Sequence, residues 1–364
     1  MKLLYITNGL NGAGGLERVL SIKASFLADK LDYEVHIVSL NNSCTNLFYN
    51  FSANIILHDI AVTGNPFSYV KAYISGLKKV VAKVKPDIIL VCDDGLKAFF
   101  LPFFLKKYGK MIYERHVSKT ISIGKNPNLL KKIIANFQFL LMDILAKKYD
   151  KFVVLTQENH KEWRLKNLIV LSNPLSFYPI EVATLDNKKV IAVGKQSHQK
   201  GYDLLLKSWK KVIEKHQDWH LEIYGKFDAK ENLNAITNDL DITNNVHFFE
   251  PVKNIQEKYL EASIYVMSSR YEGFGMVLIE AMACGVPCVS FNCPFGPSDI
   301  IKNKEDGFLV ENGDVNELAN KIRTIIENEN LRKQMGNHAK ENVKRFLPEV
   351  ICKQWDDLFK SMTK

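Results

Sequence analysis

The sequence lacks the features of disulfide-stapled, membrane-spanning or secreted proteins. Its 364 residues include only six cysteines, too few and too scattered for a disulfide framework. Cys284, Cys288 and Cys293 have neither CxxC spacing nor a neighbouring histidine, so we interpret them as buried thiols. No apolar run approaches the roughly 18 residues that a membrane span needs. The start, MKLLYITNGLNG, lacks the pattern of a secretory signal, and we expect a cytoplasmic protein.

Acidic residues are scarce in the first half of the chain. Residues 1–172 carry 24 Lys or Arg and 13 Asp or Glu, a net charge of +11, whereas the remainder carries 25 and 27, a net charge of −2. The total of +9 therefore comes from the first half. Such a half favours an anionic partner: nucleic acid, a membrane surface or a phosphorylated substrate. Ordinary solvated lysines are the alternative, and composition leaves both open.

Metal-binding and dinucleotide-binding motifs are also missing. The only Asp-x-Asp string, 239–241, lies in a polar stretch and is interpreted as solvated, so no metal is expected. The first glycine-rich turn, GLNGAGGLE, does not match G-x-G-x-x-G, and the next strand ends in SLNN without an acid for a ribose. Both features argue against a nicotinamide-dependent oxidoreductase. Because no zinc finger or aromatic RNA-binding motif is present, nucleic acid is not expected as a partner.

Short apolar runs alternate with longer helical patterns. The first part predicts an amphipathic helix over 15–31 and strands at 2–7, 33–40, 87–93, 110–115, 151–156 and 167–177. After a polar stretch, 178–189, the pattern restarts, with a helix over 202–216 and strands at 189–195, 219–226, 245–250, 262–269 and 287–291. This alternation predicts two α/β halves with parallel sheets, joined near 175–187. Because ligands bind at the carboxyl ends of such strands, the halves would face each other across a cleft.

Residues 268–291, SSRYEGFGMVLIEAMACGVPCVSF, carry the most chemical information. They predict a glycine-containing loop and then a helix from about Met276 to Ala283, stopped at Gly285. Free amides and the dipole at the helix start would attract a phosphate. Glu280 falls among apolar residues, where a carboxylate is costly unless ligand hydroxyls, such as a ribose diol, donate to it. Periodicity alone leaves open that Glu272 merely begins the helix and that Glu280 is partly exposed.

The string EGFGMVLIEAMACGVPCV resembles the Glu-x7-Glu motif of retaining GT-B glycosyltransferases of family four. Other segments resemble this family in the same order along the chain: GGLERVL (14–20), ERHVS (114–118), AVGKQSHQKGYDLLLKSW (192–209), PFGPSDII (294–301) and DGFLVENGDVNELANKI (306–322). The resemblance implies an α/β GT-B fold of two Rossmann-like α/β/α domains facing across a cleft. The expected domains are an acceptor-binding domain over 1–175, on which a C-terminal helix at about 345–364 packs back, and a nucleotide-sugar-binding domain over 188–344.

The resemblance also implies roles for residues of the second domain. The amides of Phe274, Gly275 and Met276 at the helix start would bind the donor diphosphate, and Lys195 and Lys200 would neutralise it. Glu272 would bind the transferred sugar and Glu280 the ribose. Gly225, at the end of a strand, would line the donor site. Lys195 stands where the family often has Arg, so a point charge replaces a bidentate contact.

In the first domain the resemblance places His116 against the donor sugar. Gly14 and Gly15 begin a helix and would approach the diphosphate or the acceptor. The implied reaction retains the anomeric configuration without a protein nucleophile, because the acceptor hydroxyl attacks the face that the diphosphate leaves while a phosphate oxygen helps to take its proton. The two glutamates are therefore not the acid and nucleophile of a glycoside hydrolase. No cofactor beyond the nucleotide sugar is expected.

The expected enzyme is a hexosyltransferase. It would move a hexose or N-acetylhexosamine, expected to be UDP-linked, to a glycan or polyprenyl-diphosphate-linked acceptor in capsule, O-antigen or exopolysaccharide assembly. Basic segments at 74–85, 105–110 and 128–151 mix lysines with apolar residues and predict peripheral binding to the anionic inner face of the plasma membrane, unless they are core helices with solvated lysines. A nucleotide-sugar epimerase of similar fold is an alternative. A non-catalytic anion-binding or nucleic-acid-binding protein is a more remote one.

Overall fold

The chain forms two compact α/β units. The computed structural model describes residues 1–119 and 129–363, so Asn128, the first residue of the basic segment 128–151, lies outside the described residues. Unit 1 comprises Met1–Pro174 and Pro348–Lys364, and unit 2 comprises Leu175–Leu347. Each unit holds one sheet whose described strand pairs are all parallel, so the α/β fold class is confirmed.

The sheet of unit 1 has seven strands in the order β3-β2-β1-β4-β5-β6-β7. The strands are Lys2–Thr7 (β1), Glu34–Leu40 (β2), Ile56–Ile60 (β3), Ile88–Cys92 (β4), Lys110–Glu114 (β5), Lys151–Val154 (β6) and Leu168–Val170 (β7). Strands β1 and β4 are central and almost wholly buried, which their continuous apolar runs predict. Strand β3 was not predicted, because its sequence ILHDI mixes apolar and polar residues and, at the edge of the sheet, only Ile60 is buried.

The helices of unit 1 connect these strands and cover both faces of the sheet. They are Gly15–Lys30 (α1), Pro66–Val84 (α2), Pro102–Leu105 (α3), Leu129–Ala146 (α4), Gln157–Lys161 (α5) and, at the end of the chain, Pro348–Thr363 (α13). Helix α2 begins where the Asn65 side chain accepts hydrogen bonds from two amides of the first turn. Helix α13 packs against α1, and its Asp356 accepts a hydrogen bond of 2.7 Å from the Tyr33 hydroxyl.

The two faces of this sheet carry different helices. Leu77 of α2 and Met142 of α4 share a buried cluster with Leu4 of β1. Tyr5 points to the opposite face, where the ammonium of Lys23 on α1 lies 5.5 Å from its ring centre. We call the helices on the Leu4 side the α2–α4 layer and those on the Tyr5 side the α1–α13 layer; the first consists of α2, the helical segment 96–108 and α4, and the second of α1 and α13.

Unit 2 contains a six-stranded sheet in the order β10-β9-β8-β11-β12-β13. The strands are Lys189–Val193 (β8), His220–Tyr224 (β9), Val246–Phe249 (β10), Ile264–Met267 (β11), Cys288–Phe291 (β12) and Gly307–Val310 (β13). The helices are Tyr202–Ile213 (α6), Leu233–Asp239 (α7), Ile255–Leu260 (α8), Met276–Ala283 (α9), Pro297–Ile300 (α10), Val315–Glu327 (α11) and Glu329–Asn342 (α12). Trp209 of α6 is fully buried in the core of this unit, and its indole donates to the Asn245 carbonyl at 3.1 Å. Among the described residues, no helix of either unit has both the length and the apolar character needed to cross a bilayer.

Candidate active site

The loop between β11 and α9 presents free backbone amides at a helix start. Helix α9 spans the predicted residues and begins after Gly275, whose φ of 102° lies in the left-handed region that glycine tolerates. Among the described residues, no acceptor receives a hydrogen bond from the amides of Phe274, Gly275 or Met276. The loop is held firmly: a Cβ on Gly296 would lie 1.8 Å from the Phe274 carbonyl oxygen, so only glycine fits there. Amides aligned in this way can bind an anion.

Glu272 lies in the same loop and forms an ion pair with Lys200. The Lys200 ammonium is 2.7 Å from Oε1 of Glu272, and the Ser269 hydroxyl donates to the same oxygen at 2.5 Å. Only 7% of Glu272 is exposed, so it is not a simple solvated acid at a helix start. None of the described hydrogen bonds reaches Oε2. That oxygen can accept a hydroxyl, and the ammonium keeps donors for a phosphate.

A second set of contacts ties the Lys200 loop to the Glu272 loop. The guanidinium of Arg270 donates a hydrogen bond to each carboxylate oxygen of Asp203, at 2.8 and 2.7 Å. The backbone amide of Arg270 donates to the Gln199 carbonyl. Gly201 has a φ of 63°, and a Cβ there would lie 2.1 Å from the Ser268 carbonyl oxygen. Arg270 and Asp203 were not predicted as site residues, because they meet only through a contact between loops 67 residues apart. Ser269 was not predicted either, because its contact with Glu272, three residues further on, has no sequence motif of its own.

Lys195 is placed quite differently from Lys200. Its side chain is 59% exposed, and its ammonium lies 3.7 Å from the Asp228 carboxylate. The backbone before it is tightly packed, because a Cβ on Gly225 would lie 1.9 Å from the Gly194 carbonyl oxygen. Gly225 thus keeps the ends of β8 and β9 close together, and a structural need alone accounts for it.

Glu280 is fully buried, so the alternative that it is partly exposed is wrong. Its Oε1 accepts a hydrogen bond from Ser176 at 2.7 Å, and its Oε2 lies 3.4 Å from the Tyr259 hydroxyl. Protein hydroxyls therefore supply the donors that the sequence analysis expected from a ligand. The missed partners are distant in the sequence, 104 and 21 residues away.

In unit 1, His116 belongs to a buried cluster of polar side chains at the carboxyl end of β5. Its Nε2 lies 3.3 Å from Oε1 of Glu114, and its amide donates to Asp94 at 3.1 Å. The ammonium of Lys23 lies 2.5 Å from the same Oε1 and also pairs with Oε2. The Cys92 thiol donates to Oε2 at 3.3 Å. Lys23 and Glu114 are 0% and 1% exposed, so this is a buried ion pair.

The charges of this cluster are balanced by its own residues. Desolvation raises the pKa of the Glu114 carboxyl, but the attraction of Lys23 and His116 outweighs it and holds that pKa well below its usual range. Burial raises the pKa of the Cys92 thiol well above its usual range. Cys92, Glu114 and His116 lie close enough to share a metal ion. The Lys23 ammonium already neutralises the only carboxylate among them, and a protonated thiol is a poor ligand.

The glycines at the start of α1 are explained partly by packing. A Cβ on Gly14 would lie 2.6 Å from Oε2 of Glu17, whose carboxylate folds back over the loop, whereas a Cβ on Gly15 would meet nothing within 4 Å. The predicted site residues thus form two groups. One lies in unit 2, in the loop before α9, on α9 itself and in the loops that follow β8 and β9, and the other lies in unit 1 at the start of α1 and the end of β5.

Comparisons with known proteins agree with the resemblance seen in the sequence. The model of the family "Glycosyl transferases group 1" matches residues 179–342, and that of "Glycosyl transferase 4-like" matches residues 17–139. An uncharacterized glycosyltransferase of Haemophilus influenzae is 30% identical over 97% of this chain and 98% of its own length. The amylovoran biosynthesis glycosyltransferase AmsD of Erwinia amylovora is 28% identical over 98% of this chain and 99% of its own. A solved structure of a point mutant of S. aureus TarM, in complex with Fondaparinux, alpha-GlcNAc-glycerol and UDP, covers 98% of this chain and 99% of its own with a TM-score of 0.82 at 17% identity.

Proposed function

The chain belongs to the glycosyl transferases group 1 family of GT-B glycosyltransferases, and on that premise we propose that it transfers a hexose or N-acetylhexosamine from a UDP-sugar with retention of configuration. The proposed acceptor is a hydroxyl of a glycan or of a polyprenyl-diphosphate-linked glycan. The proposed process is assembly of a capsule, O-antigen or exopolysaccharide. Similarity to AmsD supports that setting, and the UDP bound to TarM supports the choice of nucleotide.

The ion pair between Lys200 and Glu272, beside the free amides of the α9 start, is the observation that carries the proposal. The amides and the ammonium would bind the diphosphate, and Oε2 of Glu272 would accept a hydroxyl of the transferred sugar. As the glycosidic bond breaks, negative charge grows on the diphosphate, so a cation fixed there stabilises the transition state more than the ground state. Lys195 would add a second cation to the diphosphate. The resemblance to the family also assigns His116 to the donor sugar, and Gly14 and Gly15 to the diphosphate or the acceptor, and these assignments are part of the proposal.

Glu280 is assigned to the ribose. A carboxylate can accept about four hydrogen bonds, and Ser176 and Tyr259 are two of its partners. A ribose diol would join or replace these hydroxyls without leaving the carboxylate unsatisfied. Gly225 would contribute by keeping the strand ends at the donor site close together.

The retaining step would need no protein nucleophile. Oε1 of Glu272 forms an ion pair with Lys200. This contact favours a role for Glu272 in positioning the sugar over a role as the nucleophile. The acceptor hydroxyl would attack the face that the diphosphate leaves, and a phosphate oxygen would take its proton. Because lysines supply the positive charge, we propose that no metal is required and that turnover persists in excess EDTA.

The proposed location is the cytoplasm, with peripheral attachment to the inner face of the plasma membrane through the basic first half of the chain. A lipid-linked acceptor would lie in that membrane. The excess of lysines in residues 1–172 supports this attachment, because each basic residue near an anionic surface contributes about 1 kcal/mol.

The test of function is a panel of nucleotide sugars, each incubated with and without a lipid-linked acceptor. We expect acceptor-dependent release of UDP and an NMR spectrum in which the product keeps the donor's anomeric configuration. Lys200→Met and Glu272→Gln should each lower kcat about 100-fold or more. Lys188→Met and Glu257→Gln, matched changes at exposed positions of unit 2, should not. UDP release that never needs an acceptor would instead indicate an epimerase, and an inverted product would exclude the retaining step.

A further inference from the structure

Exposed apolar side chains are concentrated on one layer of unit 1. Of the 20 large hydrophobic residues that are exposed among the described residues, 13 lie on the α2–α4 layer. They are Phe67 and Val70 on α2, Leu96, Phe100, Phe103 and Phe104 in the segment 96–108, and Leu129, Leu130, Ile133, Ile134, Phe137, Leu140 and Ile144 on α4. The α1–α13 layer, on the opposite face of the same sheet, exposes only Val350 among its described large hydrophobics. An apolar surface of this extent indicates a partner.

Helix α4 is apolar on two opposite sides. One side packs on the sheet through residues such as Met142 and Leu145, which are 3% and 5% exposed. The other carries a row of exposed residues spaced three or four apart: Leu129, Ile133, Phe137, Leu140 and Ile144. A surface helix of a globular protein needs only the first side to be apolar. The second row therefore serves something other than folding of unit 1.

The same layer is strongly basic. Its described helical segments contain nine lysines and a single acid, Asp143, which is paired with Lys119 at 2.5 Å. Helices α1 and α13, by comparison, contain five acids and five basic residues. Apolar side chains interleaved with lysines, without acids, are the composition of surfaces that enter the headgroup region of an anionic bilayer.

An open groove lies within this surface. It has a volume of about 1080 Å³ and runs along α2 toward Phe104. Phe67, Val70 and Ile74 form its apolar wall, with Lys78 at its edge. The Lys78 ammonium lies 5.5 Å from the centre of the Phe104 ring, so positive charge and apolar surface are adjacent in this groove. Such an arrangement suits an acyl chain beneath an anionic headgroup.

We propose that the outer face of the α2–α4 layer docks on an anionic phospholipid bilayer and inserts its apolar side chains among the lipids. The inference deepens the proposed peripheral attachment and rests on it: contact is made by insertion from one defined face as well as by lysine charge. A second copy of the chain fits this face poorly. In a twofold dimer the same patch meets itself, so exposed lysines such as Lys71, Lys79 and Lys83 would oppose their own copies, and the segments that meet contain a single acid, Asp143.

The experiment places a tryptophan on each layer. Phe137→Trp on α4 and the matched control Val350→Trp on α13 are mixed with vesicles of phosphatidylcholine, alone or with phosphatidylglycerol, that carry brominated acyl chains. The four native tryptophans are at most 6% exposed, so quenching reports the new residue. We expect quenching of Trp only at position 137, and only when phosphatidylglycerol is present. Equal quenching at both positions, or none at either, would overturn the proposal.

A second pair of variants separates this proposal from the proposed function. Phe137→Glu should weaken flotation with anionic vesicles by about tenfold, because one inserted aromatic side chain is lost and a negative charge is added. Val350→Glu should leave flotation unchanged. Turnover with a water-soluble acceptor should be the same in both variants and the wild type. If Phe137→Glu instead floats normally and dissolves a dimer seen by light scattering, the face joins two copies and the membrane proposal is wrong.

Discussion

Replacing Lys23 by Met should destabilise unit 1 severely at neutral pH. The ammonium of Lys23 lies 2.5 Å from Oε1 of Glu114, and both side chains are buried. Without it, desolvation drives the Glu114 carboxyl to take up a proton. Because an unperturbed glutamate titrates near 4.5, keeping it neutral at pH 7 costs about 3.4 kcal/mol. With the lost hydrogen bonds, we expect the free energy of unfolding to fall by about 3–5 kcal/mol.

The free energy of unfolding that Lys23→Met loses should become smaller as the pH falls. In the wild type the pKa of Glu114 is held below its usual value, so the pair stabilises the fold above the unfolded-state pKa, and this stabilisation is lost as the pH drops toward the folded-state value. In Lys23→Met the cost of neutralising the carboxyl also disappears as the pH approaches 4.5. Between pH 7 and pH 5 the difference in unfolding free energy should therefore decrease by about 2.5 kcal/mol.

Urea unfolding followed by far-UV circular dichroism at both pH values measures this difference. The double variant Lys23→Met/Glu114→Gln should regain most of the stability at pH 7, because its buried amide carries no charge. The control Lys2→Met removes an exposed ion pair, in which the Lys2 ammonium lies 3.0 Å from Glu34. It should lower the free energy of unfolding by less than about 1 kcal/mol. A loss below about 1 kcal/mol in Lys23→Met at pH 7, or a loss independent of pH, would refute the reasoning.

Three further changes test other parts of the structure. Gly201→Ala should lower the melting temperature and abolish turnover, because the left-handed backbone and the Ser268 carbonyl leave no room for a Cβ. Ser176→Ala should cost about 1–3 kcal/mol in urea unfolding, because it deprives buried Glu280 of a donor; no loss would mean that other donors suffice. For Asp356, desolvation raises the pKa, but contacts with Lys360, Tyr33 and Lys353 outweigh it and lower the pKa to about 2. Asp356→Asn should thus lower the free energy of unfolding by about 1–2 kcal/mol at pH 7, and by progressively less as the pH falls through 3.8 toward 2. A decrease that does not change with pH in urea unfolding would contradict this.

Continuous apolar runs made much of the fold predictable from the sequence. Strands buried on both faces, such as β1, β4 and β11, coincide with predicted runs to within a residue or two. Strand β7 is shorter than the predicted 167–177, because Pro174 lacks an amide for the ladder and the chain leaves the sheet before it. Strand β13 was not predicted as a strand, since GFLV is short and has no alternating pattern. Edge or short strands are specified by neighbours that a local pattern does not contain.

The candidate site was predictable to the extent that backbone conformation defines it. The glycines, the helix start at Met276 and the placement of a carboxylate before it follow from local rules. The partners of each carboxylate do not follow from local rules. Glu272 and Glu280 are only eight residues apart, yet one is paired with an ammonium and the other is enclosed by Ser176 and Tyr259. Those partners come from segments that meet only after the chain has folded.

The lysines that give the first half its net positive charge are of two kinds, which the composition alone does not distinguish. Lys23 is buried, balanced by Glu114 and covered by Trp355 at 4.1 Å from the ammonium, so it contributes to stability and attracts no partner. The lysines of the α2–α4 layer have almost no acids in their own segments and stand among exposed aliphatic and aromatic side chains. An anionic partner approaching unit 1 would therefore meet net positive charge and extensive apolar surface together on one layer, whereas the helices of the other layer are neutral in net charge and expose one large hydrophobic residue, Val350. This coincidence favours a lipid surface over a soluble polyanion, because most of the exposed apolar side chains on this layer are leucine, isoleucine or valine, which lipid chains can cover but a polyanion cannot stack on.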